Sequence, residues 1–450
     1  IGLGIPAEPL FRSTNIAIAL SASAQKKWTL TECIDYALQN NITLQQAKLQ
    51  KQSATEERKQ AKAALLPSLS ASTNQSFGYR PWLENGVATV TNGTVNSKVN
   101  KTYYNGSYGI NAQWTVWNGN QNRNQVKLGE VSEQQAELQT ETTANNIQER
   151  IAQLYVQILY MNEAVEVNKQ SLETSKRNEQ RGKEMVEVGK MAKADLAQLT
   201  AQRAADEYTI VEAESNIANY KLQLKQLLEL TGDEAFDIEM LTAGDEQALA
   251  EIPALSTVYE TALGGRPEIK NAQLGLKQSD IQMNIAKAGA MPTISINGGV
   301  GTSTASMSSQ NWDKQIKTNF DASVGASVSV PLFDNRKTKT AVNKARIQQE
   351  QAQLELLDQQ KQLYATIEGY WLDAETNQQK FKTALTTVES EQASYDLLEE
   401  QFRLGLKNIV ELMTEKDRLL SSQQNKLQAK YTTILNRQLL RFYQGEKMTL

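Results

Sequence analysis

The chain has 450 residues, of which 47 are Lys or Arg and 51 Asp or Glu, for a formal net charge of −4. That balance gives no footing for nucleic acid or an anionic membrane surface. The complete absence of histidine removes the usual general base, the His-containing catalytic arrangements and the commonest transition-metal ligand. With only 8 Pro, 24 Gly and 6% aromatics, the composition is that of long helices with polar outer faces.

Residues 1–26 hold a short apolar run, NIAIAL, followed by Ala22-x-Ala24. Two readings fit: the end of a secretory signal with a small-residue cleavage site, or an unstructured tail. Either way they stand outside the fold argument. WTLTECIDYALQNN then reads as an amphipathic helix carrying Cys33, the single cysteine, which cannot form an internal disulfide and reads as a buried small residue.

From here the chain is written twice. ALQNNITLQQA (37–47) aligns with ALGGRPEIKNA (262–272), and AALLPSLSAS (63–72) with AGAMPTISIN (288–297). At a smaller offset WTVWNGNQNR (114–123) aligns with VPLFDNRKTK (330–339), and EVGKMAKADL (187–196) with RLGLKNIVEL (403–412). The order predicted for each repeat, 27–230 and 257–450, is helix, strand, loop, strand, long helix, tight Gly turn, helix. An acidic, Gly- and Pro-containing connector over 231–256 joins them.

Alternation predicts four strands, about 68–79, 104–117, 293–303 and 319–331. Helix-ending prolines, Pro67 and Pro292, precede the first and third; Trp117, Pro331 and Phe333 mark the junctions where the second and fourth meet a helix. One face of 320–330 is Phe320, Ala322, Val324, Ala326, Val328 and Val330; the other is Asp321, Ser323, Gly325, Ser327 and Ser329. The second strand sets Tyr108, Ile110, Ala112, Trp114 and Val116 against Gly109, Asn111, Gln113 and Thr115. A face of Gly, Ser, Asn, Gln and Thr with few charges suits a wet lumen. Trp114, Trp117 and Phe333 stand at strand ends, where a membrane interface places aromatics. No window approaches the run of about 18–20 apolar residues that a spanning helix needs, so entry into a bilayer would be by strands.

Long helices are predicted over 119–188, 192–230, 335–402 and 407–445. Ile367, Ala374, Phe381, Val388, Tyr395 and Phe402 keep a seven-residue spacing, as do Ile151, Ile158, Val165, Leu172 and Val186, with Glu179 in the missing step. Met413, Leu420, Leu427 and Ile434, and Ala197, Ala204, Val211 and Ala218, do the same on the returning helices. Such heptads mean paired helices in a left-handed supercoil. Four strands cannot close a barrel, for which about eight is the minimum, and lipid does not tolerate open edges. Copies of the chain must therefore complete one cylinder, with the helices hanging from its rim as a second tube.

The duplicated pattern, with TLTECIDYALQNN, Pro67 and Pro292, PLFDNR at 331–336 and the turns EVGKMAKADL and FRLGLKNIVEL, resembles the TolC-like outer-membrane efflux proteins from Trp28 onward. The resemblance implies a mostly α fold with β: a homotrimer whose α-barrel of long coiled-coil helices continues a 12-stranded transmembrane β-barrel, four strands per chain, in the outer membrane of a Gram-negative envelope. It implies an exit duct of a tripartite efflux or type I secretion system, served by a periplasmic adaptor protein and an inner-membrane pump, with no cofactor and no metal. Val188, Gly189, Leu404, Gly405 and Leu406 match the adaptor-docking tips, and Asp195, Glu411, Lys407 and Phe402 the periplasmic aperture. Thr414 stands where the family has a second acid, and Asp195 and Glu411 also read as ordinary first-turn acids at a helix start. A surface-anchored trimeric structural or adhesive coiled coil is the competing reading. An enzyme has no metal cluster, phosphate loop or nucleophile elbow to support it.

Overall fold

The computed structural model describes residues 27–82, 101–232, 236–240, 244–306, 308 and 310–449. The tail expected over 1–26 and most of loop 80–103 lie outside the described residues. The first half comprises β1 (Lys27–Trp28), α1 (Leu30–Asn40), α2 (Ile42–Ala63), β2 (Ser68–Tyr79), β3 (Thr102–Asn118), α3 (Gln121–Glu187) and α4 (Lys193–Leu227). β4 (Asp237–Ile238) and α5 (Asp245–Leu249) lie in the connector. The second half comprises α6 (Leu255–Gly265), α7 (Pro267–Ala288), β5 (Thr293–Ala305), α8 (Trp312–Thr318), β6 (Asp321–Ser329), α9 (Lys337–Arg403) and α10 (Ile409–Tyr443).

The duplication is metric. α3 and α9 have 67 residues each, α4 and α10 have 35, α2 and α7 have 22, and α1 and α6 have 11. At 1.5 Å per residue, α3 and α9 are each about 100 Å long. The two repeat offsets have one cause: the strand–loop–strand segment between β2 and α3 is longer than that between β5 and α9. The shorter segment holds α8, which the expected loop 304–318 did not include as a helix.

Each strand turns into its long helix through two left-handed residues. Gly119 and Asn120 have φ of 65° and 66°, and Asn335 and Arg336 have 51° and 68°. Asn tolerates this region because its short polar side chain bonds locally. In the first half a Cβ on residue 119 would stand 2.6 Å from Met291 Cβ, so only glycine fits. Just before each turn a side chain caps the new helix. Asn118 Oδ1 accepts from the Asn122 amide at 3.2 Å, and Asp334 Oδ2 from the Thr338 amide at 2.7 Å. This is the physical content of the repeated WNGNQN and FDNRKT motifs.

The strands form one antiparallel sheet in the order β2-β3-β5-β6. The helices attached to them, α2, α3, α7 and α9, pack side by side in the same order. The chain is thus a plank whose upper part is a sheet and whose lower part is helical, with β2/α2 and β6/α9 as its two free edges. Below α2 and α7 the wall is continued by the hairpins α3–α4 and α9–α10.

The main core lies midway, where α1, α6 and the returning ends of α4 and α10 pack on α3 and α9. Tyr155, Ile158, Ile367, Phe381, Ile434 and Leu440 are buried there, as is Cys33. The Tyr155 hydroxyl donates to the carbonyls of Trp28 and Glu239 at 3.2 and 2.9 Å, pinning the small β1–β4 pair of the connector to α3. The heptads of α3 and α9 are buried as expected from Ile151 to Leu172 and from Ile367 to Phe402, with Val388 half-buried. The expected α4 heptad is corrected. Ala197, Ala204, Val211 and Ala218 are exposed, and Leu199, Asp206, Ala213 with Ile210, Ile217, Leu224 face inward instead. α4 is apolar on two sides, and periodicity alone does not say which side its own chain covers.

Candidate functional site

Cross-strand register sorts the sheet into two chemically distinct faces. The row Leu69, Ala112, Gly298, Val324 and the row Ala71, Ile110, Val300, Ala322 run across all four strands on one face. On the other face run Ser68, Gln113, Asn297, Gly325 and Ser70, Asn111, Gly299, Ser323. Because pleat parity is 2, a slip of one residue in any strand would mix the faces; β2, β5 and β6 are in phase with β3 over these rows. Apart from its far rim the apolar face is left bare, with Leu69, Phe77, Ile110, Val300, Val324 and Val328 exposed. A soluble sheet would cover that face with a helix.

The apolar band ends in a girdle at the helix side. Leu66, Trp114, Val116, Met291, Leu332 and Phe333 are exposed around the four junctions, Leu332 by 94% and Phe333 by 85%. Trp117 is half-buried beside them, and the Trp114 indole donates to the Leu65 carbonyl at 2.9 Å. The junction residues Pro67, Pro292 and Pro331 all lie just outside the strands, where no ladder amide is required. At the far rim α8 sits on the apolar side: Thr302 Oγ1 donates to the Ile316 carbonyl at 2.8 Å and Trp312 meets Tyr108 edge-on. Among the described residues no helix is long and apolar enough to cross a membrane, and no group of His, Cys, Asp and Glu could hold a metal ion.

The opposite end of the molecule is two equivalent helical tips. α3 ends with Gly189 at φ +74°, its amide bonding to Val186 O at 3.1 Å and the Lys190 amide reaching back to Met185 O at 2.8 Å. α9 ends the same way at Gly405, φ +76°, with Leu406 bonding to Gln401 O at 2.9 Å. This is the glycine-terminated helix stop in which the last carbonyls are satisfied by amides past the end. Val188, Leu404, Leu406 and Val410 are exposed apolar residues on these tips.

The acids differ in what holds them. Glu411 forms a reciprocal cap with Asn408, the two bonds being 3.0 and 3.3 Å, and takes a third from Lys407 Nζ at 2.9 Å. The Lys407 bond first, then the Asn408 amide, hold its carboxyl below the usual carboxylate range. Asp195, at the equivalent place on α4, makes no side-chain cap: residue 192, the cap position, is alanine. Phe402 is buried in a small tip cluster with Leu199, Tyr395, Ile409, Leu412 and Leu419.

The depressed acidity of Glu411 gives a pH expectation. A group whose folded pKa is lowered stabilises the fold above its unfolded pKa and loses that contribution as pH falls through the folded value. Protection of the 409–412 amides against hydrogen exchange should therefore drop in acid, below the usual carboxylate range. Glu411→Gln should show no such step.

Sequence reasoning missed a polar seam between the two hairpins. Lys416 on α10 is ion-paired with Asp206 on α4, at side-chain exposures of 5% and 7%. Ser175 on α3 and Gln202 add hydrogen bonds to the same carboxylate. Higher up, Gln424 donates to Asn168 at 2.9 Å and Tyr431 to Glu163 at 2.6 Å. The available signal was that Asp206 stands midway between Leu199 and Ala213 on a seven-residue spacing.

The model of the family described as outer membrane efflux protein matches residues 33–229 and 258–446, the two halves of the duplication. The outer membrane efflux protein BepC of Brucella suis is 20% identical over 92% of this chain and 85% of its own length. The outer membrane protein TolC of Vibrio cholerae is 23% identical over 95% of this chain and 92% of its own. The crystal structure of CusC, described as forming a transmembrane channel, superposes with a TM-score of 0.79 at 16% identity, covering 95% of this chain and 96% of that one. With both halves matched, each over its own helical hairpin and paired strands, the chain belongs to the outer membrane efflux protein family.

Proposed function

We propose that the chain is the outer-membrane exit duct of an efflux or type I secretion assembly, conducting solutes passively from periplasm to exterior. One observation carries the reading: an apolar face uncovered from the junctions up to α8, and a polar face, on a four-stranded sheet whose strands lead, in the same order, into a wall of helices. The sheet is fully antiparallel with an even number of strands, so β6 of one copy runs in the direction needed to pair antiparallel with β2 of the next. The reading takes three copies, giving twelve strands. The exposed stripe Ala204, Val211, Ala218 with Tyr208 on α4, and Ile347, Leu354 and Leu397 on α9, supplies apolar surface along both helical edges for the same contact.

Val188, Gly189, Leu404, Gly405 and Leu406 are assigned to docking a periplasmic adaptor, which would link the duct to an inner-membrane pump. Asp195 and Glu411, with Lys407, are assigned to the periplasmic mouth, where three copies would form acidic rings that favour cations. Phe402 is assigned to holding the tip hairpin in shape behind them.

Reconstitution in planar bilayers tests the reading. The purified protein should give discrete single-channel currents, small while the tips are together. Asp195→Ala/Glu411→Ala should raise the conductance or weaken block by multivalent cations applied from the tip side. Absence of channels overturns the duct; channels indifferent to the double substitution overturn the mouth assignment.

A further inference from the structure

Across β2, β3, β5 and β6 one charged side chain occurs, Asp321, the first residue of β6. Its parity is that of Ser323 and Ser327, on the polar face. Its row across the sheet is Ser72, Gly109, Gly301, Asp321, so the neighbours on its own chain are two glycines and a serine. A Cβ built at Gly301 would meet only backbone, and no ion pair involves Asp321 among the described residues. The carboxylate is exposed at the end of β6 farthest from α9, in a row that crosses β3 near its middle at Gly109.

Among the described residues none of the nearby cations forms an ion pair with it. Lys314 and Lys317 belong to α8, which is fastened to the apolar side of the sheet through Thr302 and Tyr108. Arg80 stacks over the Tyr103 ring at 4.7 Å, beyond the end of β2. It stands eight residues past Ser72, the β2 member of the Asp321 row, or about 26 Å along the strand at the usual rise.

We infer that Asp321 is the residue that sets ion preference within the strand-lined part of the bore, drawing cations through it toward the exit. The inference rests on the trimeric duct proposed above. Twelve strands about 4.8 Å apart and tilted by roughly 40° give a barrel radius of about 12 Å, so three carboxylates would lie about 9 Å from the axis. At 0.01 M salt the Debye length is about 30 Å, and three such charges enrich a monovalent cation on the axis by about fivefold. At 1 M the length is about 3 Å and the enrichment nearly vanishes. Nothing else within the strands competes, because every other side chain on that face is neutral.

The salt dependence separates this part of the bore from the tips. Channels are oriented by one-sided thiol labelling of a Lys314→Cys variant; the native Cys33 is buried. Reversal potentials are then read in KCl gradients, with 0.01 M on the loop side and 1 M on the tip side, and the reverse. With the dilute side at the loops, Asp321→Asn should lower the potassium-over-chloride permeability ratio by about twofold or more. With the dilute side at the tips it should change little, whereas Asp195→Ala/Glu411→Ala should behave oppositely. An Asp321→Asn channel identical to the parent in both gradients overturns the inference while leaving the duct intact. No current from the parent overturns the duct itself.

Discussion

Replacing Lys416 with Met should destabilise the lower helical wall by about 3–5 kcal/mol, whereas Asp206→Leu/Lys416→Met together should cost little or add stability. Lys416 and Asp206 are both more than nine-tenths buried. Taking two ions out of water costs several kcal/mol each, and their attraction offsets this only while both are present. Removing the ammonium leaves Asp206 with Ser175 and Gln202, neutral donors that do not compensate a buried charge. The pair also ties α4 to α10, two helices of different hairpins, so its loss is felt as separation of the hairpins. A double-mutant cycle on urea unfolding, followed by helical circular dichroism, measures the coupling. Limited proteolysis at the tips tells whether the hairpins part before the core melts. A Lys416→Met protein as stable as its parent would mean that water already reaches the pair.

Much of this molecule was legible in its sequence because the signals repeat. Pro67 and Pro292 stop equivalent helices, and Gly189 and Gly405 stop equivalent long ones, so each boundary is marked twice. The strands were legible because alternation between aliphatic and hydroxyl side chains has no other economical cause. Three things were not. α8 is seven residues long, too short for a period, and is held by bonds from Thr302 and Asn319 that only tertiary structure brings together. The inward face of α4 was misassigned because the helix is apolar on two sides and its own chain covers only the side of Leu199, Ile210, Ala213 and Ile217. Asp206 and Lys416 were hidden because isolated charges on long polar helices read as solvated. The tip acids were located, but their different anchoring was not. Whether residue 408 is a capping asparagine and residue 192 an alanine decides that Glu411 is fixed and Asp195 is not.

Val324→Lys should abolish assembly in the outer membrane, and Ser323→Lys, one residue away, should not. Val324 is exposed by 85% in the single chain and shares its row with Leu69, Ala112 and Gly298. If that face meets lipid, a lysine near the bilayer midplane costs about 2–4 kcal/mol, falling toward the interfaces. Three copies in one barrel would bring the total to about 6–12 kcal/mol, comparable to the whole stability of a typical domain, about 5–15 kcal/mol. Ser323 lies in the row of Ser70, Asn111 and Gly299, where water would solvate a lysine at little cost. Its signature would be in conductance and ion preference, not in yield. Membrane fractionation and heat-modifiable mobility on gels report assembly for both variants. The comparison is informative because the same charged side chain is introduced at adjacent positions of opposite pleat parity. A Val324→Lys protein that assembles while Ser323→Lys fails would reverse the two faces, and with them the assignment of the bore and the placing of Asp321 within it.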